Sequence, residues 1–259
     1  MTKQINPVLT ARGVSKHFGG LTAVDEVDFE VSAGEVVALL GDNGAGKSTL
    51  IKCISGVYRP EQGKVVFNGE DITHHAPADI RSRGIETIYQ DLALAENLDV
   101  GANVFLGKEK TRRLFGLIPV TDDNYMREEA SGALDELDIH IPSLKQKLVN
   151  LSGGQRQAVA IARAMYWNAQ LVIMDEPTAA LGVPEQRKVL ALIRSLREGD
   201  IPVILISHTM HDVMAVADRM VVMRRGRIVA NITRADASEE LIVRHIVGSA
   251  ENGENAVMI

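Results

Sequence analysis

Residues 41–48, Gly-Asp-Asn-Gly-Ala-Gly-Lys-Ser, fit the spacing G-x-x-x-x-G-K-[ST], and each residue type in it has its own task on a polyphosphate. Gly41, Gly44 and Gly46 let the backbone bend until its N–H groups converge on an anion, with Asp42, Asn43 and Ala45 carried between them. Lys47 adds a positive charge, and the Ser48 hydroxyl, followed by Thr49, is of the type that ligates a Mg²⁺ bridging phosphates. A second pair of reactive groups, Asp175 and Glu176, closes the apolar run Leu171-Val172-Ile173-Met174. Neighbouring residues of a strand point in opposite directions, so the two acids take different roles. Asp175 suits the Mg²⁺ shell, and Glu176 suits a general base that polarises a water for attack on a γ-phosphate. The third element is Leu151-Ser152-Gly153-Gly154-Gln155, ahead of an Arg/Ala-rich helix. Ser152, Gly153, Gly154 and Gln155 open that helix, and its free N–H groups can receive an anion.

These groups need a scaffold that carries them. Residues 36–40 form an apolar run of strand type, and residues 48–55 read as a helix closed by Gly56, whose positive end faces the glycine loop. Residues 8–14 and 23–31 alternate apolar and polar side chains, and 64–69 reads as another strand, so a small antiparallel layer is expected beside the loop unit. Residues 91–165 carry Leu, Ala, Glu and Lys at helical spacing, with a helix at 123–137 and a looser insert at 107–122. A strand at 171–174, a helix at 184–197 and a strand at 203–207 then alternate, and strands at 219–223 and 227–232 flank the turn 224–226. Alternation of this kind predicts an α/β fold, a mostly parallel sheet with helices on both sides, plus the antiparallel layer and an inserted helical subdomain. The expected organisation is one domain over 1–247, with a core at about 8–90 and 165–235 and the helical subdomain at about 91–164, and a mobile tail at 248–259.

The 259 residues are 46% hydrophobic and 24% charged, enough to bury a core, and with aromatics at 4% that core must be mostly aliphatic. No apolar run reaches the roughly 18–20 residues of a membrane-spanning helix, and the first residues lack the apolar stretch of a secretory signal. Cys53 is the sole cysteine, which rules out an internal disulfide and fits a reducing compartment. A net charge of −6 argues against nucleic acid as a partner, and Arg224, Arg225 and Arg227 read as a solvated hairpin turn.

In order and spacing, these motifs resemble the ATP-binding subunit of an ABC transporter over about residues 8–248. The resemblance implies that ATP and Mg²⁺ are the cofactors and that residues 151–155 are the signature motif. It also implies that two copies dimerise head to tail, each signature closing on the nucleotide held by the partner's loop. By the same resemblance, Phe18 stacks on adenine, Gln90 reaches Mg²⁺ and the attacking water, and His208 contacts the γ-phosphate. One departure stands out: where the family usually has an interface aspartate, this chain has Gly182. The strings Ala180-Leu181-Gly182, Gly41-Asp42-Asn43-Gly44 and Val104-Phe105-Leu106-Gly107 are similar to monosaccharide importers, and residues 84–94 to single-domain fructose-type uptake proteins. Such a protein works peripherally on the cytoplasmic face of the inner (cell) membrane with permease subunits, and indirectly with an external sugar-binding protein. Its permease contact is expected near 90–120, where Ala93, Leu94, Ala95, Leu98 and Phe105 are apolar residues that either form that surface or, for at least half of them, belong to the subdomain's own core. A soluble ABC ATPase acting on nucleic acid or the ribosome is the alternative, opposed by the acidic charge and by the lack of a coiled-coil insertion.

Overall fold

The computed structural model describes residues 7–89, 91–115, 117–137, 139–179 and 181–248. In chain order, β1 (Pro7–Phe18) and β2 (Leu21–Ser32) pair antiparallel, and β3 (Val36–Leu40) leads into α1 (Lys47–Ile54). Strands β4 (Gln62–Phe67) and β5 (Glu70–Asp71) follow, then α2 (Pro77–Ser82) and β6 (Ile85–Ile88). The middle holds α3 (Val100–Val104), β7 (Thr111–Leu114), β8 (Ile118–Thr121), α4 (Asp123–Asp135) and α5 (Gly153–Tyr166). The chain continues through β9 (Leu171–Asp175), α6 (Val183–Glu198), β10 (Val203–Ile206) and α7 (Met210–Val216). It closes with β11 (Arg219–Arg224), β12 (Arg227–Thr233) and α8 (Glu239–Val247).

Six strands form one sheet in the order β12-β11-β3-β10-β9-β6, parallel at every pairing except β11 with β12. A separate antiparallel sheet, β2-β1-β4-β5, supplies the expected second layer. The central strands are apolar throughout because both of their faces are covered. Val37, Leu39, Ile173, Ile204 and Ile206 pack with α1 and the antiparallel sheet. Val36, Ala38, Leu40, Val172, Met174, Val203 and Leu205 point the other way and pack with α5, α6 and α7. Each such fully buried aliphatic side chain contributes about 1.5–3 kcal/mol over an exposed one. Helix α5 also turns Val159 and Ala162 toward a third core, shared with Val104 and Phe105 near α3 and with Met126, Ala130 and Leu134 of α4.

The structure departs from the sequence expectation at several places. Strand β6 has four residues and pairs only with β9, too short an edge strand for periodicity to declare it. The loose insert at 107–122 folds into the hairpin β7–β8, which buries almost nothing and so has no apolar alternation. Helix α8 carries its signals in capping, with Ser238 at the N-cap, Glu239 and Glu240 in the first turn, and Gly248 in the left-handed region after the last turn. Of the tail expected at 248–259, residues 249–259 lie outside the described residues.

Candidate functional site

Because β3, β10 and β9 are neighbours and parallel, the segments that follow them emerge at one edge of the sheet. The glycine loop follows β3, His208 follows β10, and Asp175 with Glu176 ends β9. Three motifs far apart in sequence are thereby gathered by topology alone. Gln90, expected beside them after β6, lies outside the described residues.

The loop's shape depends on glycine at two positions in particular. Gly41 and Gly46 have φ of 146° and 105°, and a Cβ on them would lie 2.3 Å from the Met223 carbonyl oxygen and 2.4 Å from that of Ala23. Only a residue without a side chain fits this tight cradle, which is what close backbone approach to a phosphate chain requires. Ala45 is buried behind the loop, its N–H bonded to the Asp42 carbonyl at 3.1 Å and its own carbonyl to Gly226 at 3.0 Å. Asp42 also accepts from the Asn43 N–H at 2.7 Å. No side chain caps α1, so its first N–H groups remain available for an anion. The Lys47 ammonium donates to the carbonyls of Gly41 at 2.8 Å and Asp42 at 3.0 Å, which holds it across the loop. Burial lowers its pKa, while Glu176, Asp42 and Asp175 act in the opposite direction. Ser48 is exposed and Thr49 half-buried, both in the first turn of α1.

Glu176 sits in left-handed backbone (φ 52°), its N–H bonded to the Ile206 carbonyl at 2.8 Å. Its carboxylate meets His208, whose Nδ1 lies 2.8 Å from Glu176 Oε1. The glutamate side chain is 17% exposed and the histidine 77%, so one is seated and the other reaches outward. Burial first, then the Glu176 charge, raise the Asp175 pKa, against Lys47 and Lys52. The folded chain thus holds a proton on Asp175 more readily than the unfolded chain does. Stability from that protonation is complete below the ordinary carboxylate pKa and is lost as pH rises through the raised one. We therefore expect Asp175→Asn to raise the thermal unfolding midpoint at neutral pH and flatten its pH dependence across that window. An unchanged slope in a pH series of melting curves would contradict this.

Phe18 ends β1, exposed, with its ring edge-on to Tyr58 at 5.2 Å and the Lys16 ammonium 5.4 Å from its centroid. Tyr58 in turn lies 5.3 Å from Lys52 of α1, which ties the aromatic platform to the loop helix.

The signature segment stands elsewhere on the chain. Ser152 caps α5, accepting from the Gln155 N–H at 3.3 Å while Gln155 Oε1 accepts from the Ser152 N–H at 3.0 Å. Gly153 and Gly154 are hemmed in, since a Cβ would come within 2.6 Å of Leu181 and 2.8 Å of Glu185 respectively. Gly153 lines a cavity of about 270 Å³ with Arg156, Gln157 and Glu176, whereas Asp42, Asn43, Gly44 and Ala45 line a different one with Arg224 and Arg225. Gly153 and the loop residues 42–45 thus line different cavities, and Glu176 lines the one beside Gly153.

Gly182 is the N-cap of α6 with an ordinary φ of −69°, and a Cβ there would lie 2.8 Å from Glu185 Oε2. An aspartate at 182 would therefore meet a carboxylate already folded over the position. The cap itself would favour aspartate over glycine by only a few tenths of a kcal/mol. Gly182→Asp should gain thermal stability only when combined with Glu185→Gln; equal midpoints for the single and double variants would refute that coupling.

Two residues with supporting roles escaped the sequence reading. Arg163 of α5 reaches the carbonyls of Ala93 at 3.2 Å and Leu92 at 3.5 Å, just past Gln90. Asn103, fully buried, brackets Ala95 with bonds of 2.8 Å to its N–H and 3.0 Å to its carbonyl. Neither has a motif, because each acts on backbone brought near only by folding. Of the apolar permease candidates, Phe105 is a core residue and Leu94 leans on two cores, while Ala93 is exposed.

Known proteins match this arrangement along nearly the whole chain. The ABC transporter family profile covers residues 24–179. The chain is 48% identical over 238 residues to the xylose/arabinose import ATP-binding protein of Sulfolobus acidocaldarius, across 92% of this chain and 93% of that one. It is 43% identical over 254 residues to the fructose import ATP-binding protein of Rhizobium meliloti, across 97% and 98%. A crystal structure of an ABC transporter's ATP-binding cassette in its ADP conformation superposes with a TM-score of 0.81 at 28% identity, covering 94% of this chain and 99% of that one. With the loop, the strand-end acids and the capped signature helix all present on this sheet, the chain belongs to the ABC transporter family as one of its ATP-binding cassettes.

Proposed function

We propose that this cassette is the ATP-hydrolysing subunit of a monosaccharide importer, acting as a head-to-tail dimer on a separate membrane permease. The observation that carries the dimer is that Gly153 and the loop residues 42–45 line different cavities, so a second copy is proposed to bring its own residues 152–155 to this loop. The sugar class is supported by relatives named for xylose/arabinose and fructose import, both matched over more than nine-tenths of their length. On this reading the chain touches no sugar; a permease and an external binding protein select it. No helix among the described residues is long and apolar enough to cross a membrane, so the proposed placement is peripheral, on the cytoplasmic face.

The site residues fit ATP with Mg²⁺. The cradle at Gly41, Gly44 and Gly46, together with Lys47, would hold the phosphates, and Ser48 and Asp175 would hold the cation. Among the described residues no three His, Cys, Asp or Glu side chains group to bind a metal by themselves. When bound, Mg²⁺-ATP supplies the phosphoryl group and the charge that neutralises it. Glu176, with Oε1 engaged by His208, is assigned to take a water proton on Oε2. His208 orients that carboxylate, and Phe18 offers its exposed ring to adenine.

Deletion of the gene followed by uptake measurements with labelled xylose, arabinose, fructose and ribose tests the proposal. Loss of uptake of one of them, restored by the wild-type chain and not by Glu176→Gln, is the expected result. Unchanged uptake of all four would refute it.

A further inference from the structure

Among the described residues the hairpin β7–β8 pairs with no other strand and projects an apolar tip. Phe115 is 88% exposed, Leu117 85% and Ile118 56%, the densest run of exposed large hydrophobic side chains among the described residues. The β7 side of the approach is basic: residues 108–113 hold Lys108, Lys110, Arg112 and Arg113 against one acid, Glu109, all exposed, whereas the β8 side leads away from the tip into Asp122 and Asp123 at the base. Glu109 is turned back onto the Gly107 N–H at 2.9 Å. The Lys108 and Lys110 ammonium groups lie 4.3 Å and 5.9 Å from the Trp167 ring, which keeps cations on the subdomain surface at the hairpin's base.

An isolated two-stranded hairpin is marginal in water, and an apolar tip on it costs solubility without adding to any core of this chain. The surrounding protein is acidic, at −6 overall, so an anionic partner would be drawn to this segment and repelled elsewhere. Apart from the half-buried Val120, the described hairpin residues from 111 to 121 are exposed on both faces, which suits a planar, yielding surface better than a shaped protein pocket. A tip of aromatic and aliphatic residues flanked by Lys and Arg matches the chemistry of an interfacial anchor: apolar groups in the acyl boundary and cations on the headgroups.

We propose that this hairpin is a peripheral anchor that sets Phe115 and Leu117 into an anionic phospholipid surface, with Lys108, Lys110, Arg112 and Arg113 on the headgroups. The inference rests on the import reading only for bringing the chain to a membrane. The anchor would limit how far the cassette can swing from the bilayer between turnovers.

Co-sedimentation of the full chain with vesicles tests it directly. Vesicles of phosphatidylcholine with phosphatidylglycerol are expected to pellet the protein, pure phosphatidylcholine to leave it in solution, and added salt to release it. Arg112→Glu with Arg113→Glu, and separately Phe115→Ser with Leu117→Ser, should each weaken binding at least about tenfold. Basal ATPase rate and unfolding midpoint should not change, because these side chains touch neither core nor site. The proposal is overturned if the wild type ignores phosphatidylglycerol vesicles, or if both variants bind as it does. Wild type that ignores the vesicles, with hairpin variants that no longer co-purify with a permease, would overturn it in favour of a protein partner. Vesicle binding needs neither permease nor ATP, so its failure is distinct from failure of sugar uptake.

Discussion

Glu176→Gln is expected to slow ATP turnover by about 10²–10⁴-fold while leaving ATP binding near the wild-type level. The substitution keeps the side-chain shape and its place against His208, 2.8 Å away, and removes only the ability to accept a proton. The carboxylate is well seated: its backbone is held in a left-handed turn by the bond to Ile206, and its side chain is mostly buried. A neutral amide in that seat should therefore cause no rearrangement of Lys47 or of the glycine loop. Single-turnover hydrolysis and nucleotide titration, measured on the same protein, separate the two effects. A rate within about threefold of wild type would strip Glu176 of the general-base role, given the 10²-fold minimum that such catalysis supplies.

Lys47→Ala should act on the other side of the same chemistry, weakening ATP binding by about 30- to 4,000-fold. The ammonium is fixed across the loop by the carbonyls of Gly41 and Asp42, so its charge is already placed where phosphates would lie. Removing one member of a desolvated charge pair costs about 2–5 kcal/mol, and each 1.4 kcal/mol is tenfold in affinity. Asp175 and Glu176 would also lose their cation, and the pKa of Asp175, which Lys47 now holds down, should rise further. Calorimetric titration with ATP reads the affinity, and a loss of less than tenfold would mean the loop's N–H groups carry the phosphates without the lysine.

Much of this was open to sequence reading because the signals are local. Gly41, Gly46 and Lys47 announce themselves by spacing, and the strands at 36–40 and 171–175 by unbroken apolar runs. Strand β6 and the β7–β8 hairpin gave no such signal, one being four residues at a sheet edge and the other exposed on both faces. Phe105 stood open between a permease surface and the subdomain's core, because nothing local says that Tyr166 and Trp167 come round to pack on its ring, at 4.8 and 5.6 Å.

What the sequence determined by itself was therefore local form: a glycine loop with Lys47, a pair of strand-end acids and a capped helix start at Ser152, each encoded within a few adjacent residues and each proposed to act on ATP. The tertiary structure decided which of these meet. Parallel pairing of β3, β10 and β9 brings Lys47, His208 and Glu176 to one sheet edge, whereas Gly153 and Gly154 pack against Leu181 and Glu185, outside the loop's cavity. Spacing along a chain fixes backbone conformation over a turn or two; proximity across more than a hundred residues depends on which strands pair and which faces are buried.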